Sequence, residues 1–328
     1  MRYLLALAAL FALPFAIAAC GNDDDDDLRS VSLMLDWTPN TNHLGIYVAQ
    51  AEGYYAEEGL EVSITEPGAG GTPQVVAQGA VQFGISHQEM VIPGRAQDVP
   101  IVSIAALVQH NTSSLMALAE SGIERPADLE GHSYGGFGGP LERQLIETLV
   151  ECDGGDPAGV QFTEVGDVDY LVGMDRGHYD FVWIFDGWDG IRATELEGAE
   201  VNFIRFRDYL DCIPDWYTPL IITNESLIED DPDLVRSFLA ATTRGYEFAM
   251  ENPERAAEIL HDAVPELDET LIRLSAEFLA DWFVAEEGRP WGQQDLDIWE
   301  RFEAFLRDAG LTQREIDVEQ AYTNEFLP

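Results

Sequence analysis

Lysine is absent from this 328-residue sequence: all 17 basic residues are arginine, against 61 acidic residues, and the formal net charge is −44. Without lysine the chain has no side-chain amine for a Schiff base, which excludes lysine-anchored pyridoxal chemistry. The lysine-bearing phosphate loop of nucleotide-binding proteins is excluded as well. So little positive charge argues against binding to nucleic acid or to anionic lipid head groups. We interpret the acidic excess as surface charge that keeps the protein soluble, with attraction of a cationic ligand as the alternative.

Cysteine is scarce, and the first of the three cysteines, Cys20, follows an apolar stretch from Leu4 to Ala19. That stretch has the length of a signal peptide rather than of a stable membrane span. The small residues before Cys20 resemble the bacterial lipobox, whose cysteine is lipidated and becomes the mature N-terminus. A plain signal peptide is the alternative. We expect residues 1–20 to be a lipoprotein signal peptide, residues 21–29 an acidic disordered tether, and the mature protein to be anchored on the extracytoplasmic side of the cell membrane.

The other two cysteines, Cys152 and Cys212, are far apart in the sequence. Small buried thiols are the interpretation we favour for them, and a disulfide formed outside the cytoplasm stays open as the alternative. Neither belongs to a cluster with metal-ligand spacing, and a lone pair such as His87 and Glu89 is a weak metal signal. We therefore expect no metal site and no cofactor.

Alternation of strand and helix patterns predicts an α/β protein with two lobes, each an open and mainly parallel sheet flanked by helices. The first unit reads as a strand at 31–35, a helix at 42–52 and a strand at 60–65. A second set begins with a strand at 132–135 and a helix from Pro140, a good first helical residue. Helical spacing dominates from Pro232 onward.

The chain is expected to pass between the two lobes twice, near 114–120 and 217–223. The first lobe then comprises residues 30–116 and 221–328, and the second comprises residues 117–220. In open α/β sheets, ligands bind outside the carboxyl ends of the strands. With two such lobes, both sets of strand ends can face one cleft, so polar and aromatic residues that directly follow strands become candidates for binding.

Several stretches of this sequence resemble the bacterial solute-binding proteins of the thiamine-pyrimidine-precursor group, within the type II periplasmic-binding-protein superfamily. They are LDWTPNTNHLGIYVAQAEGYYAEEGLEV (35–62), FGISHQE (83–89), QHNTS (109–113), YGGFGGPLE (134–142), DFVWIFDGWDGI (180–191), YTPLIITNE (217–225) and RGYEFAMENPERAAEIL (244–260). The resemblance covers essentially the whole chain after the predicted leader. It implies a two-lobe clamshell that captures a small molecule and passes it to an ABC permease in the membrane.

On that resemblance we expect a monomeric binding protein, not an enzyme, that takes a formylated or hydroxymethylated aminopyrimidine. Riboflavin or another flat heteroaromatic molecule is the nearest alternative. The related enzyme branch makes the pyrimidine itself with a cysteine-rich motif and pyridoxal phosphate on a lysine, and this chain has neither the motif nor the lysine. Binding of an aliphatic sulfonate or nitrate is disfavoured by the lack of lysine and by the many aromatic residues near strand ends.

A flat ligand needs aromatic faces and a few directional polar groups. Trp37 and Trp188, one from each lobe, are predicted to stack on the ligand when the lobes close, and Glu89 to pair with a ligand amine. Trp183 is equally compatible with a core position, and Asn40 with a helix cap. The complete set of predicted ligand contacts is Asp36, Trp37, Asn40, His43, Glu89, Tyr134, Gly136, Phe137, Glu142, Trp183, Asp186, Trp188 and Tyr217.

Overall fold

The computed structural model describes residues 28–68, 70–166, 168–283 and 289–328. The predicted signal peptide, the lipidation site Cys20 and the aspartate run lie outside the described residues. The strands are β1 Arg29–Met34, β2 Leu60–Thr65, β3 Phe83–Ser86, β4 Ile101–Ala106, β5 Ser113–Leu118, β6 Ser133–Gly136, β7 Gln161–Glu164, β8 Phe181–Phe185, β9 Val201–Arg205 and β10 Leu220–Asn224. The helices are α1 Leu44–Ala51, α2 Tyr54–Glu57, α3 Thr72–Ala77, α4 Gln88–Ala96, α5 Pro140–Cys152, α6 Tyr170–Asp175, α7 Glu225–Asp230, α8 Pro232–Glu251, α9 Pro253–Ala263, α10 Glu269–Phe283 and α11 Leu296–Asp308.

The strands form two five-stranded sheets with the same topology, in the orders β2-β1-β3-β10-β4 and β7-β6-β8-β5-β9. In each sheet the first three strands are parallel, and the fourth is antiparallel to both of its neighbours. The predicted two-lobe α/β architecture is therefore confirmed, and each sheet is mixed, with one reversed strand. The reversed strands, β10 and β5, are those that the chain enters directly after it crosses from the other sheet.

The two crossings lie at 107–112, between β4 and β5, and at 206–219, between β9 and β10. Residues 114–120, predicted as the first crossing, instead form most of β5 and the turn after it. The first crossing instead includes the polar residues 109–112, which lie just before β5. The division at residues 116 and 220 stays a prediction, and sheet membership changes within a few residues of both positions.

Local sequence explains where the main helices begin. Pro140 opens α5, and the side chain of Glu142 accepts hydrogen bonds from backbone N–H groups at the start of that helix. Asp231 caps α8 by accepting from the N–H of Leu234, which satisfies an N–H group that the helix leaves unpaired. Over the described ranges, we find no helix long and apolar enough to cross a membrane.

The hydrophobic core continues through the junction between the sheets. Every residue of β4 and β10 is buried, as expected for strands that are covered on both faces. One buried cluster runs from Ile101 of the first sheet through Trp216 of the second crossing to Leu145 of the second lobe. Trp216 also stacks on Phe302 of α11, with ring centroids 5.0 Å apart. The crossing segments are therefore packed parts of the core.

The two cysteines Cys152 and Cys212 form a disulfide, so the interpretation of two separate thiols was wrong. Cys152 ends α5, and Cys212 lies in the second crossing, 60 residues further along the chain. Nothing in the local sequence around either residue predicts the other as its partner, because only the tertiary fold brings them together. The bond ties the second crossing to α5 of the second lobe.

Candidate ligand-binding site

The carboxyl ends of β3 and β8 meet at the two crossings. Leu220, the first residue of β10, pairs with Ser86 at the end of β3, and Ser113, the first residue of β5, pairs with Phe185 at the end of β8. Both crossings therefore end beside the carboxyl edge of a sheet. This is the arrangement in which open α/β sheets bind ligands.

Buried polar side chains without hydrogen-bond partners concentrate at this junction. Of the fourteen such side-chain atoms among the described residues, eight belong to residues at the end of β3 or just after it, in or beside the first crossing, on β8, or in the second crossing. We call these eight residues the junction cluster. Its unpaired atoms are Ser86 Oγ, Gln88 Nε2, Glu89 Oε2, Gln109 Nε2, Asn111 Nδ2, Ser113 Oγ, Trp183 Nε1 and Trp216 Nε1.

Trp216 connects the parts of the junction cluster. Its ring centroid lies 6.1 Å from that of Trp183, at 89° between planes, and its indole lies near the carboxyl group of Glu89. The preceding residue, Asp215, accepts hydrogen bonds from the N–H groups of Asn111 (3.0 Å) and Trp216 (2.9 Å). Trp216 and Asp215 of the second crossing therefore link Trp183, Glu89 and Asn111.

Each unpaired buried polar group costs on the order of 1–3 kcal/mol, because it has lost its water without gaining a partner. A molecule that supplies hydrogen-bond partners to these groups would offset this cost. Cavities of about 330 and 170 Å³ lie elsewhere, against Arg95 and Arg314 and against Met90 and Pro93. The junction cluster lines neither of these two cavities.

Contacts through α10 hold the lobes together in this structure. The hydroxyl of Thr41 donates to Ser275 Oγ at 2.5 Å, and Ser275 Oγ donates to the carbonyl oxygen of Gly187 in the second lobe. The guanidinium of Arg207 lies 4.4 Å from the ring centroid of Trp282, at the end of the same helix. The two hydrogen bonds join the loop after β1 to the turn after β8, and the Arg207 contact joins the second crossing to α10.

Asp36, which follows β1, is held by two histidines. His43 Nε2 lies 2.8 Å from Asp36 Oδ1, and His87 Nε2 lies 3.4 Å from Asp36 Oδ2. The backbone N–H of Asn40 donates to His43 Nδ1, so the proton of this imidazole is on Nε2 and is donated to Asp36. Burial raises the pKa of Asp36, but the hydrogen bond from His43 and the electrostatic effects of His43 and His87 outweigh it and bring the pKa to about 2.

The lowered pKa of Asp36 predicts how the stability of the fold changes in acid. The folded-state pKa of about 2 lies below the ordinary value of 3.8, so ionised Asp36 stabilises the fold above about pH 4 and loses this effect as the pH falls towards 2. We expect Asp36→Asn to lower the free energy of unfolding by about 2 kcal/mol at pH 7. Urea unfolding followed by circular dichroism at pH 7 and pH 2.5 measures the difference, which should fall to about 1 kcal/mol or less at the lower pH. An equal difference at both pH values would contradict the assignment.

Several predicted ligand contacts are already paired within the protein. Asn40 caps the turn at 41–43 by accepting from the N–H of Asn42, and its amide donates to Thr38 O. His43 is fully buried. The hydroxyl of the buried Tyr134 donates to Glu142, which also accepts from the N–H groups of Phe137 and Gly139.

Gly136 is closely packed, since a Cβ atom there would lie 2.3 Å from the ring of Tyr134. Tyr217 is buried, and its hydroxyl accepts from the N–H of Asp295. Asp186 accepts from Ser114 Oγ (2.5 Å) and lies 3.4 Å from Arg205, and burial raises the pKa of its carboxyl group against the effects of both partners. Like Asn40, His43, Tyr134 and Glu142, these residues shape the walls of the junction, and their roles as ligand contacts stay predictions.

The structure brings Glu89 and Trp183 into the junction cluster, and it exposes Trp37 and Phe137. The side chain of Trp37 is 42% exposed and that of Phe137 is 60% exposed. They occupy corresponding places in the two lobes, because β1 and β6 are the second strands of their sheets. Trp188 lies half-buried in the turn that rests on α10.

The junction cluster contains six residues that the sequence did not single out as ligand contacts: Ser86, Gln88, Gln109, Asn111, Ser113 and Trp216. Most of them lie within the stretches FGISHQE and QHNTS, but their polar side chains are equally typical of surface loops. A signal was available in the position of these stretches directly after apolar strands.

No group of three or more His, Cys, Asp or Glu side chains in the described part of the chain is arranged to hold a metal ion.

Two mixed α/β sheets joined by two crossings, with polar groups gathered at the junction, define the periplasmic-binding-protein fold. The periplasmic aliphatic sulphonate binding protein SsuA from Escherichia coli matches it with a TM-score of 0.68 at 15% identity, covering 89% of this chain and 91% of that one. The chain belongs to the NMT1/THI5-like family, whose model matches residues 40–256. The predicted relationship to the thiamine-pyrimidine-precursor group is confirmed.

Three relatives in this family are named for different activities. A formylaminopyrimidine-binding protein of Halalkalibacterium halodurans is 31% identical over 99% of both chains. A 4-amino-5-hydroxymethyl-2-methylpyrimidine phosphate synthase of Legionella pneumophila is 29% identical over 91% of this chain and 92% of that protein. The riboflavin-binding protein RibY of Chloroflexus aurantiacus is 29% identical over 92% of this chain and 87% of RibY.

Proposed function

We propose that this protein is the extracytoplasmic solute-binding component of an ABC importer and that it captures a thiamine-related aminopyrimidine between its lobes. The junction cluster is the observation that carries the proposal, because a bound polar ligand supplies the partners that these buried groups lack. The 31% identity to a formylaminopyrimidine-binding protein supports the choice of ligand. Binding then shifts the equilibrium from open to closed lobes, since the ligand contacts both halves only in the closed state.

Glu89 is the group proposed to receive the amino group of the ligand. Burial, the largest influence, raises the pKa of its carboxyl group, against smaller opposing effects of His87 and Trp216. One of its oxygen atoms, Oε2, is buried and has no partner in the part of the chain that the structure describes. An exocyclic amino group of the ligand donates a hydrogen bond to this oxygen without a full charge on the amine or on the carboxyl group. Trp37 is proposed to cover one face of the ring.

The disulfide between Cys152 and Cys212 supports a location outside the cytoplasm, because such bonds persist in oxidising compartments. The same proposal includes a lipid anchor at Cys20, a monomeric state and delivery of the ligand to a membrane permease.

Catalysis is disfavoured, although the family includes synthases, because the chain has no lysine to hold pyridoxal phosphate. Consumption of pyridoxal phosphate by the purified protein would overturn this choice.

The direct test identifies the ligand. Mass spectrometry of small molecules released from the purified protein, followed by calorimetry, should reveal tight binding of formylaminopyrimidine. Riboflavin is the second candidate, on the strength of the relative RibY, and the same titrations compare the two compounds. Absence of binding to both pyrimidines and flavins would contradict the proposed function.

A mutation tests the proposed stacking face. We expect Trp37→Ala to weaken binding of formylaminopyrimidine on the order of tenfold or more, as the loss of one stacked aromatic ring implies. Trp37→Phe should keep most of the affinity. Stability should change little, because the side chain is 42% exposed. Leu210→Ala, which truncates another exposed apolar side chain, serves as the control. Unchanged affinity in Trp37→Ala, measured by calorimetry, would show that the ligand does not contact this ring.

A further inference from the structure

We infer that Gln88 and Asn111 determine specificity by presenting two fixed N–H donors, so that the facing edge of the ligand carries two hydrogen-bond acceptors. The inference rests on the proposed function, because it assumes that the ligand occupies the junction. It assigns roles to two residues that are unremarkable in the sequence, and it defines the ligand by its pattern of acceptors.

Gln88 is locked in one orientation. Its Oε1 accepts a hydrogen bond from the N–H of Tyr217 at 2.8 Å, and its own N–H donates to the carbonyl oxygen of Tyr217 at 2.9 Å. The side chain is fully buried, and Nε2 has no partner among the residues described. A flip of the amide would place its NH₂ group against the N–H of Tyr217, so Nε2 must remain the atom that faces a ligand.

Asn111 is locked in the same way on the opposite crossing. Its Oδ1 accepts from the N–H of Ser113 at 2.7 Å, while its own N–H donates to Asp215 at 3.0 Å. Nδ2 is buried and, over the described ranges, unpaired. Both amides are therefore fixed at the crossings. Tyr217 of the second crossing holds the side chain of Gln88, and Asn111 itself belongs to the first crossing.

The remaining members of the junction cluster fit a ligand of the same kind. The indole N–H of Trp183 only donates, and Glu89 Oε2 supplies an acceptor for an amino group. Ring nitrogens and carbonyl oxygens are neutral acceptors of the required type. An anionic sulfonate also accepts hydrogen bonds, but the carboxyl group of Glu89 lies among these donors. The class of ligand is therefore a neutral heteroaromatic amine with an acceptor-rich edge.

Isosteric substitutions test the two donors. Gln88→Glu and Asn111→Asp keep the oxygen that accepts from Tyr217 or Ser113 and replace the free NH₂ group by an acceptor. We expect each variant to bind formylaminopyrimidine about tenfold or more weakly than the wild type at pH 7.5, because an acceptor then faces an acceptor. Gln161→Glu adds the same charge at an exposed position of β7 and should leave affinity unchanged. Thermal denaturation shows whether each variant is folded.

A comparison of ligands tests the inference without any mutation. The benzene analogue of formylaminopyrimidine keeps the substituents and lacks both ring nitrogens, so the wild type should bind it about tenfold or more weakly. Equal affinity for both compounds, or unchanged affinity in folded Gln88→Glu and Asn111→Asp, would overturn the inference and leave the proposed function standing. A wild-type protein that binds no pyrimidine or flavin would instead overturn the proposed function. If the variants do not fold, the comparison of ligands decides alone.

Discussion

Replacement of both disulfide cysteines, in the variant Cys152→Ser/Cys212→Ser, is expected to lower the free energy of unfolding by about 4 kcal/mol at 25 °C. The estimate follows from the chain entropy that a cross-link removes from the unfolded state, which grows with the length of the loop. Here the loop spans 60 residues. Unfolding in guanidinium chloride, followed by tryptophan fluorescence, measures the change.

The single variant Cys152→Ser is the matched control, because it removes the bond and leaves Cys212 in place. It should lose nearly as much stability as the double variant, and wild-type protein kept in reductant should behave like both. A double variant that unfolds at the same denaturant concentration as the oxidised wild type would contradict the disulfide. Ligand affinity should also fall, since the bond anchors the segment that carries Asp215, Trp216 and Tyr217.

The second large effect is expected from Gly245→Ala. Gly245 lies in α8 where that helix crosses α1, and a Cβ atom there would lie 1.9 Å from the backbone carbonyl oxygen of Gly45. A backbone atom cannot rotate away as a side chain can, so the two helices must separate. We expect a loss of about 3 kcal/mol or more in unfolding free energy, measured by denaturant unfolding.

This helix crossing also supports the candidate site. The hydroxyl of Tyr246, next to Gly245, donates to the carbonyl oxygen of Asn42 at 2.7 Å, within the loop that carries Asp36 and Trp37. Gly68→Ala is the control, because a Cβ atom at Gly68 would meet no atom within 4 Å. It should stay within about 0.5 kcal/mol of the wild type. An equally small effect of Gly245→Ala would show that the helices are further apart than the structure places them.

Two members of the junction cluster could be anticipated from the place of a residue after a strand or near its end. Glu89 and Trp183 were predicted as ligand contacts and lie in the junction cluster, and Trp37 is exposed after β1. The partners of Asn40, His43, Tyr134 and Glu142 could not be anticipated with the same certainty. A polar side chain near a strand end is compatible both with binding a ligand and with capping the local backbone. Only the tertiary structure distinguishes these two roles.

By itself, the sequence determined the alternation of strands and helices, the two lobes, the family and the exclusion of lysine chemistry. These properties depend on residue type and on short-range periodicity, which can be read along the chain. Only the tertiary structure decided the bond between Cys152 and Cys212, the close approach of Gly45 and Gly245, and the fixed orientation of Gln88 and Asn111. Each of these depends on a partner that the fold brings close, such as Tyr217 for Gln88, 129 residues further along the chain, and local patterns contain no information about such partners.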